Sequence, residues 1–283
     1  MSALPLVRTV AELRAQTAQW RSRGERVGLV PTMGALHRGH ISLITRARRD
    51  ADKVVASIFV NPTQFGPGED FQAYPRDEEH DSELLAAEGC DLLYAPAPSE
   101  IYPDGFATTV AVSGVSEPLD GAARPGHFVG VATVVAKLLI QAAPDVAVFG
   151  EKDYQQLQVI RRLVHDLDLP VKVIGAPTVR AQDGLALSSR NAYLIDDQRV
   201  VAGRLNVILA ELARALALGA PVAGAEATAR AALLGAGFET VDYIEARAAE
   251  DLRRLGPGPV DAPARVLVAA RIGRTRLIDN MAV

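Results

Sequence analysis

The chain has 283 residues, of which 49% are hydrophobic and 23% are charged, and its formal net charge at pH 7 is −4. This composition excludes wholesale disorder, and it gives no sign of the strongly basic face that nucleic-acid binding requires. The single cysteine, Cys90, excludes an internal disulfide and fits a reducing compartment.

The hydrophobic runs of the chain give no indication of a membrane protein. Residues 1–13 lack a basic region followed by an apolar core, so we expect no signal peptide. The longest apolar run, residues 128–143, is interrupted by Lys137 and is too short for a membrane span, so we predict a buried helix there. Together with the lone cysteine, these features predict a cytoplasmic protein.

Hydrophobic periodicity predicts alternating helices and strands in the first two thirds of the chain. A helix is expected to begin near Val10, with Thr9 as its N-cap, and to stop at Gly24. The next elements, in order, are strand 26–30, helix 41–50, strand 53–60, helix 77–88, strand 91–94, helix 129–141, strand 146–149, helix 154–167 and strand 171–174. This alternation predicts a parallel sheet wrapped by right-handed crossovers.

The character of the sequence changes after about Ala181. Two helical stretches rich in Ala, Leu and Arg, 197–218 and 223–234, precede strand-like runs at 240–244, 265–269 and 275–278. We therefore predict an α/β fold, with a Rossmann-like doubly wound parallel sheet in residues 1–180 and a second, smaller α+β C-terminal domain in residues 181–283.

Three isolated features have structural interpretations. Cys90 lies where a helix ends and a strand begins, which favours a small buried side chain over a nucleophile. Trp20 is interpreted as a core residue. The acidic helix start Asp77–Asp81 is interpreted as a solvated face, with a magnesium ligand among its acids as the alternative.

The segment Pro31–His40, which follows an early strand, has the features of a nucleotide site. Ligands of doubly wound folds bind at the carboxyl ends of strands, and a helix N-terminus favours phosphate. His37 and His40 are spaced to share one face of a helical turn and can donate hydrogen bonds to a polyphosphate, although the helix dipole disfavours their charged forms. Gly39 leaves room for a flat ring. The alternatives are a zinc site, for which no Cys or third His lies nearby, and two histidines that serve only in packing.

Two later segments carry further phosphate-binding chemistry. In Gly150–Asp153, Lys152 can reach a phosphate as a point charge, and Asp153 can bond a ribose hydroxyl or orient the lysine. The loop Leu187–Asn191 combines two hydroxyls and a guanidinium, which can clamp phosphate oxygens. Taken singly, a capped helix or a polar turn explains each segment as well or better. Because neither a Walker A nor a Gly-x-Gly-x-x-Gly pattern is present, the three together indicate a His-x-Gly-His type of nucleotide site.

Six motifs, in this order along the chain, resemble those of the pantothenate synthetase family. They are Pro31–His40 (PTMGALHRGH), Ser57–Phe65 (SIFVNPTQF), Tyr74–Arg76 (YPR), Gly126–Phe128 (GHF), Phe149–Gln156 (FGEKDYQQ) and Leu187–Asn191 (LSSRN). The first looks like the HIGH signature of nucleotidylyl transferases and class I aminoacyl-tRNA synthetases. The resemblance runs from about Val27 to Asn191, and the C-terminal third carries few motifs.

The resemblance implies an ATP-dependent ligase. Members of the family join pantoate to β-alanine through a pantoyl adenylate and release AMP and pyrophosphate, with ATP as substrate and Mg²⁺ beside it. The resemblance also implies a cytoplasmic homodimer, a C-terminal domain that acts as a lid, and small-molecule substrates without nucleic acid or membrane as partners. It assigns no protein ligand to the metal.

The resemblance further implies roles for individual residues. The ATP site would comprise Met33, Gly34, Ala35, Leu36, His37, Arg38, Gly39, His40, Gly150, Glu151, Lys152, Asp153, Val179, Leu187, Ser188, Ser189 and Arg190. The catalytic residues would be His40, as the acid, with His37 and Lys152. Gln64 and Gln156 would bind pantoate, and Gln64 would also contact β-alanine. Their expected neighbours are Asn61, Tyr74, Arg124 and His127.

Other functions stay open from the sequence. A nucleotidyltransferase would share the His-x-Gly-His segment but not the paired Gln64 and Gln156 or the Ser-Ser-Arg loop. A non-catalytic nucleotide sensor could lose Lys152 or His40, both of which are present here. A tRNA synthetase is disfavoured by the short chain and the missing basic domain.

Overall fold

The computed structural model describes residues 4–283, which form a six-stranded sheet, a three-stranded sheet and their flanking helices. The strands are β1 (Leu6–Val7), β2 (Val27–Thr32), β3 (Lys53–Ile58), β4 (Leu92–Tyr94), β5 (Val146–Gly150), β6 (Lys172–Ala176), β7 (Thr240–Ala248), β8 (Ala264–Ile272) and β9 (Thr275–Ala282). The α-helices are α1 (Val10–Arg21), α2 (Arg38–Ala47), α3 (Glu78–Ala87), α4 (Pro98–Ile101), α5 (Asp120–Ala123), α6 (His127–Ala142), α7 (Tyr154–Asp166), α8 (Asp196–Ala217) and α9 (Val222–Ala236). Short 3₁₀ turns lie at Pro62–Gln64, Glu151–Asp153 and Ser189–Tyr193.

The large sheet is parallel, with strand order β1-β4-β3-β2-β5-β6. Successive side chains of a strand point to opposite faces, and β2 shows the consequence. Leu29 packs in the core with α1, α6 and α7, whereas the next residue, Val30, packs in the core with α2 and α3. Helices therefore cover both faces, and the predicted doubly wound sheet is confirmed.

The order of the strands reverses between β2 and β5. From β2 the chain builds outward through β3 and β4, and from β5 it builds the other way to β6. In such sheets the crevice outside the carboxyl ends at this point is where ligands bind. The predicted segments after β2 and β5 both begin there.

The C-terminal part forms the smaller α+β unit that the sequence predicts. Strands β7, β8 and β9 pair antiparallel, and α8 and α9 pack against them in a core of their own. These strands run three to four residues further than predicted, and the added part of β9 contains the polar Asp279, which Arg180 holds from across the fold. The division of the chain at residue 180 stays a prediction.

Most predicted helices and strands are present, with differences at their ends. Thr9 caps α1 and forms a capping box with Glu12, but the helix ends at Arg21, before Gly24. Helix α2 begins at Arg38, three residues earlier than predicted, because the side chain of His37 caps it. The two-residue strand β1 was not predicted, since so short a run leaves no periodicity.

The interpretations of Cys90 and Trp20 as buried residues are confirmed. Burial raises the pKa of the Cys90 thiol to about 11, which makes it a poor nucleophile. The apolar run around Phe128 forms the buried helix α6, as predicted. No helix within residues 4–283 has both the length and the apolar character needed to cross a bilayer.

Candidate active site

A cavity of about 660 Å³ lies at the carboxyl ends of β2 and β5 and extends to β9 of the second sheet. It brings together most of the residues that the sequence assigns to a site, although they come from segments far apart in the chain. The predicted residues that line it are Met33, His37, Gly39, His40, Gln64, Gly150, Lys152, Asp153, Gln156, Val179, Leu187, Ser188, Ser189 and Arg190. The four expected neighbours, Asn61, Tyr74, Arg124 and His127, line it as well.

Five predicted ATP-site residues lie outside the lining of the cavity. Leu36 packs in the core with α2, and the side chain of Arg38 is exposed. Glu151 forms an ion pair with Arg265 of β8 at 3.2 Å. Gly34 and Ala35 form the turn that carries the chain from β2 to α2. For these five, a role toward ATP stays a prediction.

The two histidines are joined through the start of α2. His37 is the N-cap, and its Nδ1 accepts a hydrogen bond from the N–H of Gly39 at 3.1 Å. The N–H of His37 donates in turn to Nδ1 of His40 at 3.3 Å, and the ring centroids lie 4.1 Å apart. The sequence predicted that the two histidines share one face of the first helical turn, but His37 is the N-cap and precedes that turn. Because both Nδ1 atoms accept, each neutral ring carries its proton on Nε2, the one N–H it can offer a ligand.

Both rings are neutral at pH 7. Burial, followed by the positive charge of Lys152, lowers the pKa of His37 to about 4. Burial, followed by His37 and Lys152, lowers the pKa of His40 to about 3. The expectation that the charged forms are disfavoured agrees with these directions, and burial is the larger cause.

Gly39 sets the distance between the helix start and the His37 ring. A Cβ at this position would lie 2.8 Å from Cε1 and 2.9 Å from Nδ1 of His37. The ring therefore occupies the space that any side chain would need. The flat group that approaches this glycine is the protein's own imidazole.

Asp81 of α3 holds the backbone of the turn that precedes the histidines. Its carboxylate accepts hydrogen bonds from the N–H groups of Ala35, at 2.8 Å, and Leu36, at 2.7 Å. Ala35 has a positive φ of 51°, an uncommon conformation that such bonds stabilise. The interpretation of Asp77–Asp81 as a solvated face is therefore wrong for Asp81, which is buried. Asp81 lies four residues before the buried Leu85, and residues at i and i+4 share a helix face. That spacing was the sequence signal for the burial of Asp81.

Lys152 lies in the 3₁₀ turn after β5 and is largely buried, with 19% of its side chain exposed. Its Nζ lies 3.5 Å from Oδ1 of Asp153, a long contact that leaves most of the donor capacity of the ammonium unused. A ligand with phosphate oxygens would supply the acceptors that the protein does not.

The Ser-Ser-Arg loop contacts both the histidine turn and the loop that follows β3. The hydroxyl of Ser189 donates to the carbonyl of Ala35 at 3.1 Å. The guanidinium of Arg190 bonds both carboxylate oxygens of Asp70, at 2.8 and 2.9 Å. No motif pairs these two residues, since 120 positions separate them. The guanidinium of Arg190 is thus occupied by a carboxylate of the protein itself.

A network of polar groups orients the amide of Gln64. Asn61 is buried, and its Nδ2 donates to Oε1 of Gln64 at 2.9 Å and to the carbonyl of Gly130 at 3.2 Å. Its Oδ1 accepts from the hydroxyl of Tyr102 at 2.7 Å. This arrangement leaves Nε2 of Gln64 as the donor toward the cavity, where it meets the weak acceptor Sδ of Met33 at 3.3 Å.

A second network fixes the backbone of Gln64. Arg124 donates to Nε2 of His127 at 3.0 Å, so the proton of the imidazole must lie on Nδ1, which bonds the carbonyl of Gln64 at 2.9 Å. Burial, followed by the charge of Arg124, lowers the pKa of His127 to about 4. Glu69 receives two bonds from Arg124, both at 2.6 Å, which outweigh its burial and hold its pKa at about 2.

The described residues offer no protein cage for a metal ion in the cavity. Within residues 4–283, no three His, Cys, Asp or Glu side chains are grouped so that they could hold one. Asp70 and Glu69, which line the cavity, are each paired with an arginine.

Comparison with known proteins agrees with the motifs and extends the similarity to nearly the whole chain. A sequence model described as pantoate-beta-alanine ligase matches residues 5–282. The chain belongs to the pantoate–β-alanine ligase family of enzymes. The pantothenate synthetase of Caulobacter vibrioides is 61% identical over 284 residues, covering all of both chains.

Solved structures of the family share the fold. The pantothenate synthetase of Thermus thermophilus is 51% identical, with a TM-score of 0.92, covering 98% of this chain and 99% of its own. The pantoate–β-alanine ligase of Francisella tularensis, complexed with beta-gamma ATP and beta-alanine, is 35% identical, with a TM-score of 0.82, covering 99% of this chain and 98% of its own. Membership of the family favours a ligase over the nucleotidyltransferase and the sensor.

Proposed function

We propose that this chain joins pantoate to β-alanine through a pantoyl adenylate, with ATP converted to AMP and pyrophosphate. The supporting observation is that one cavity holds neutral histidine donors, an under-used lysine and a Ser-Ser-Arg loop, together with an oriented glutamine amide. A free carboxylate is a poor acyl donor, so the activation of an acid by ATP suits such a site.

In the first step, a carboxylate oxygen of pantoate attacks the α-phosphorus of ATP. The new O–P bond forms as the bond from the α-phosphorus to the bridging oxygen breaks, and pyrophosphate leaves with the electron pair. In the second step, the amine of β-alanine attacks the acyl carbon. The C–N bond forms, AMP leaves with the electrons of the C–O bond, and the amine releases a proton.

The residues that face ATP would act mainly by position and charge. Neutral His37 and His40 would donate from Nε2 to phosphate oxygens without a net charge, so His40 would serve as a hydrogen-bond donor rather than as an imidazolium. Lys152 would follow the charge that moves toward pyrophosphate. Such preorganised donors cost no reorganisation when the charge develops.

The residues that face the acid would recognise its oxygens. Gln64 has its Nε2 turned into the cavity, so it would donate to a hydroxyl or carboxylate of pantoate and would lie near β-alanine. Gln156 lines the same cavity on α7 and would be the second contact. Val179, Ser188 and Ser189 would complete the ATP side.

Mg²⁺ would enter with ATP. Because the described residues offer no cage, its ligands would be phosphate oxygens and water, which is common for this ion. When bound, it would neutralise part of the phosphate charge. We also propose a homodimer in the cytoplasm, and a C-terminal domain that acts as a lid.

The test is pyrophosphate release from Mg-ATP with pantoate alone, followed by AMP and amide formation when β-alanine is added. We expect pantoate-dependent pyrophosphate first and β-alanine-dependent pantothenate second. Release with another acid, but not with pantoate, would keep adenylation and remove the substrate assignment. No release with any acid, from folded protein that binds ATP, would favour the sensor.

A further inference from the structure

Two neighbouring side chains of β9, Asp279 and Asn280, connect the second sheet to both phosphate-side segments of the cavity. Both are 2% exposed, which is unusual for polar residues unless their hydrogen bonds are satisfied. Each is bonded across the fold to a segment more than 90 positions away. The sequence assigned neither residue a role.

Asn280 bonds the backbone of the turn that carries Lys152. Its Nδ2 donates to the carbonyl of Glu151 at 2.9 Å and to the carbonyl of Lys152 at 2.8 Å. Backbone carbonyls can only accept, so the amide must present its NH₂ group to them. One side chain thus holds two successive peptide groups of the 3₁₀ turn.

Arg265 of β8 fixes the orientation of this amide from the other side. Its Nε donates to Oδ1 of Asn280 at 2.6 Å, and its Nη2 pairs with Glu151 at 3.2 Å. The guanidinium also lies over the ring of Tyr154, 3.9 Å from the ring centroid. An arginine has no acceptor, so a flipped amide would face it with NH₂ and lose all three bonds.

Asp279 makes the parallel contact to the Ser-Ser-Arg side. Its buried carboxylate receives bonds from Arg180 at 2.6 and 2.9 Å. Arg180 also donates to the carbonyl of Gly184 at 3.0 Å, within the bend that leads to Leu187 and the loop beyond it. The same strand therefore anchors the bases of both segments.

We propose that Asn280 is a positioning residue that holds the turn of Lys152 at the distance the ATP reaction requires. This inference rests on the proposed function, because it assumes that Lys152 acts on the phosphates. Misplacing a reacting group by about 1 Å can cost on the order of 10²-fold in rate, so two backbone bonds at this turn have a large effect on the chemistry.

Asn280→Ala tests the role, with Glu226→Gln as its control. Glu226 is also buried and polar in the C-terminal unit, where it pairs with Arg254, but it does not line the cavity. We expect Asn280→Ala to lower kcat for pyrophosphate release roughly 10- to 100-fold while KM for pantoate changes less than about twofold. Glu226→Gln is expected to change neither. Equal kinetics in the two variants would overturn the proposal.

A double-mutant cycle with Lys152→Met separates positioning from general damage. If Asn280 acts through Lys152, Asn280→Ala has no further effect once the lysine is gone. A purely structural role would instead multiply the two losses, and that result would also overturn the proposal.

Should Asn280→Ala fail to fold, Arg265→Lys leaves Asn280 in place but removes its Nε partner. We then expect a drop in kcat of about threefold to tenfold, and an unchanged rate contradicts the inference.

A binding measurement distinguishes failure of this inference from failure of the proposed function. If the wild type binds a non-hydrolysable ATP analogue but does not release pyrophosphate with pantoate, the proposed function fails. In that case the double-mutant cycle of Asn280→Ala and Lys152→Met is repeated with the affinity for the analogue, measured by calorimetry. Weaker binding in Asn280→Ala that disappears in the Lys152→Met background supports the positioning role, and additive losses exclude it.

Discussion

The histidine turn and the Ser-Ser-Arg loop line the same cavity but are held in different ways. The turn is fixed by hydrogen bonds to its backbone, among them those from Gly39 to His37 and from Ala35 to Asp81, and its rings are partly buried. The loop is bonded to that turn through the Ser189 hydroxyl and the Ala35 carbonyl, but the guanidinium of Arg190 is held by an ion pair with Asp70. A phosphate can compete for an arginine that a carboxylate holds, whereas it has nothing to displace at the turn. The side formed by the histidine turn is thus prebuilt, whereas on the loop side Arg190 can exchange Asp70 for a phosphate.

Lys152 lines the same cavity, and the largest effect on the rate is expected from its removal. Lys152→Met removes the cation that faces the phosphates, and we expect the rate of pantoate-dependent pyrophosphate release to fall about 10²- to 10³-fold. The control is Lys53→Met, since Lys53 pairs with Asp91 at 3.1 Å and does not line the cavity. Similar rates in the two variants would show that Lys152 has no role in pyrophosphate release.

Gly39→Ala tests whether the prebuilt side depends on the close approach of the His37 ring. A Cβ at 2.8 Å from the ring forces it to move, so we expect kcat/KM for ATP to fall roughly 10- to 100-fold. Gly224→Ala is the matched helical control, because a Cβ there meets nothing within 4 Å. Steady-state kinetics of both variants provide the measurement. An unchanged kcat/KM for ATP in Gly39→Ala would mean that the site does not depend on the close approach of the His37 ring.

Asp70→Asn tests the exchangeable side. The change frees Arg190 from its carboxylate, and we expect KM for ATP to fall by about threefold at low salt, in line with the modest strength of partly exposed ion pairs. Added salt should reduce the difference between variant and wild type. Asp166→Asn, which removes an exposed partner of Arg162 outside the cavity lining, serves as the control. A raised KM in Asp70→Asn would mean that Asp70 positions Arg190 instead of competing for it.

The smallest effect at neutral pH is expected on stability, from the three partly buried histidines of the cavity. The pKa values of His37, His40 and His127 are about 4, 3 and 4 in the folded chain, below the ordinary value near 6.5. The unfolded chain binds these protons first as the pH falls, so the free energy of unfolding should be unaffected above about pH 6.5 and should decrease from there toward about pH 3, the lowest of the three values. NMR titration should show three imidazoles that stay neutral down to about pH 5. Titration of all five histidines of the chain near pH 6.5 would contradict this.

The sequence predicted the parallel sheet and the positions of the segments after β2 and β5, because both follow from local periodicity and motifs. The buried Asp81 was missed, because the acidic run Asp77–Asp81 was interpreted as a whole and the spacing of four between Asp81 and Leu85 was overlooked. The pairs Arg190–Asp70 and Asn280–Lys152 depend on residues more than 100 positions apart. Such contacts arise only when the sheet and the C-terminal strands are in place.

The most direct test of the two-sided cavity is a crystal structure with a non-hydrolysable ATP analogue and pantoate. We expect the rings of His37 and His40 to stay within about 0.5 Å of their 4.1 Å separation, as a preorganised site requires. Arg190 should leave Asp70 and bond a phosphate oxygen. If Arg190 stays on Asp70 while the histidine turn rearranges around the nucleotide, the account of which side is prebuilt is wrong.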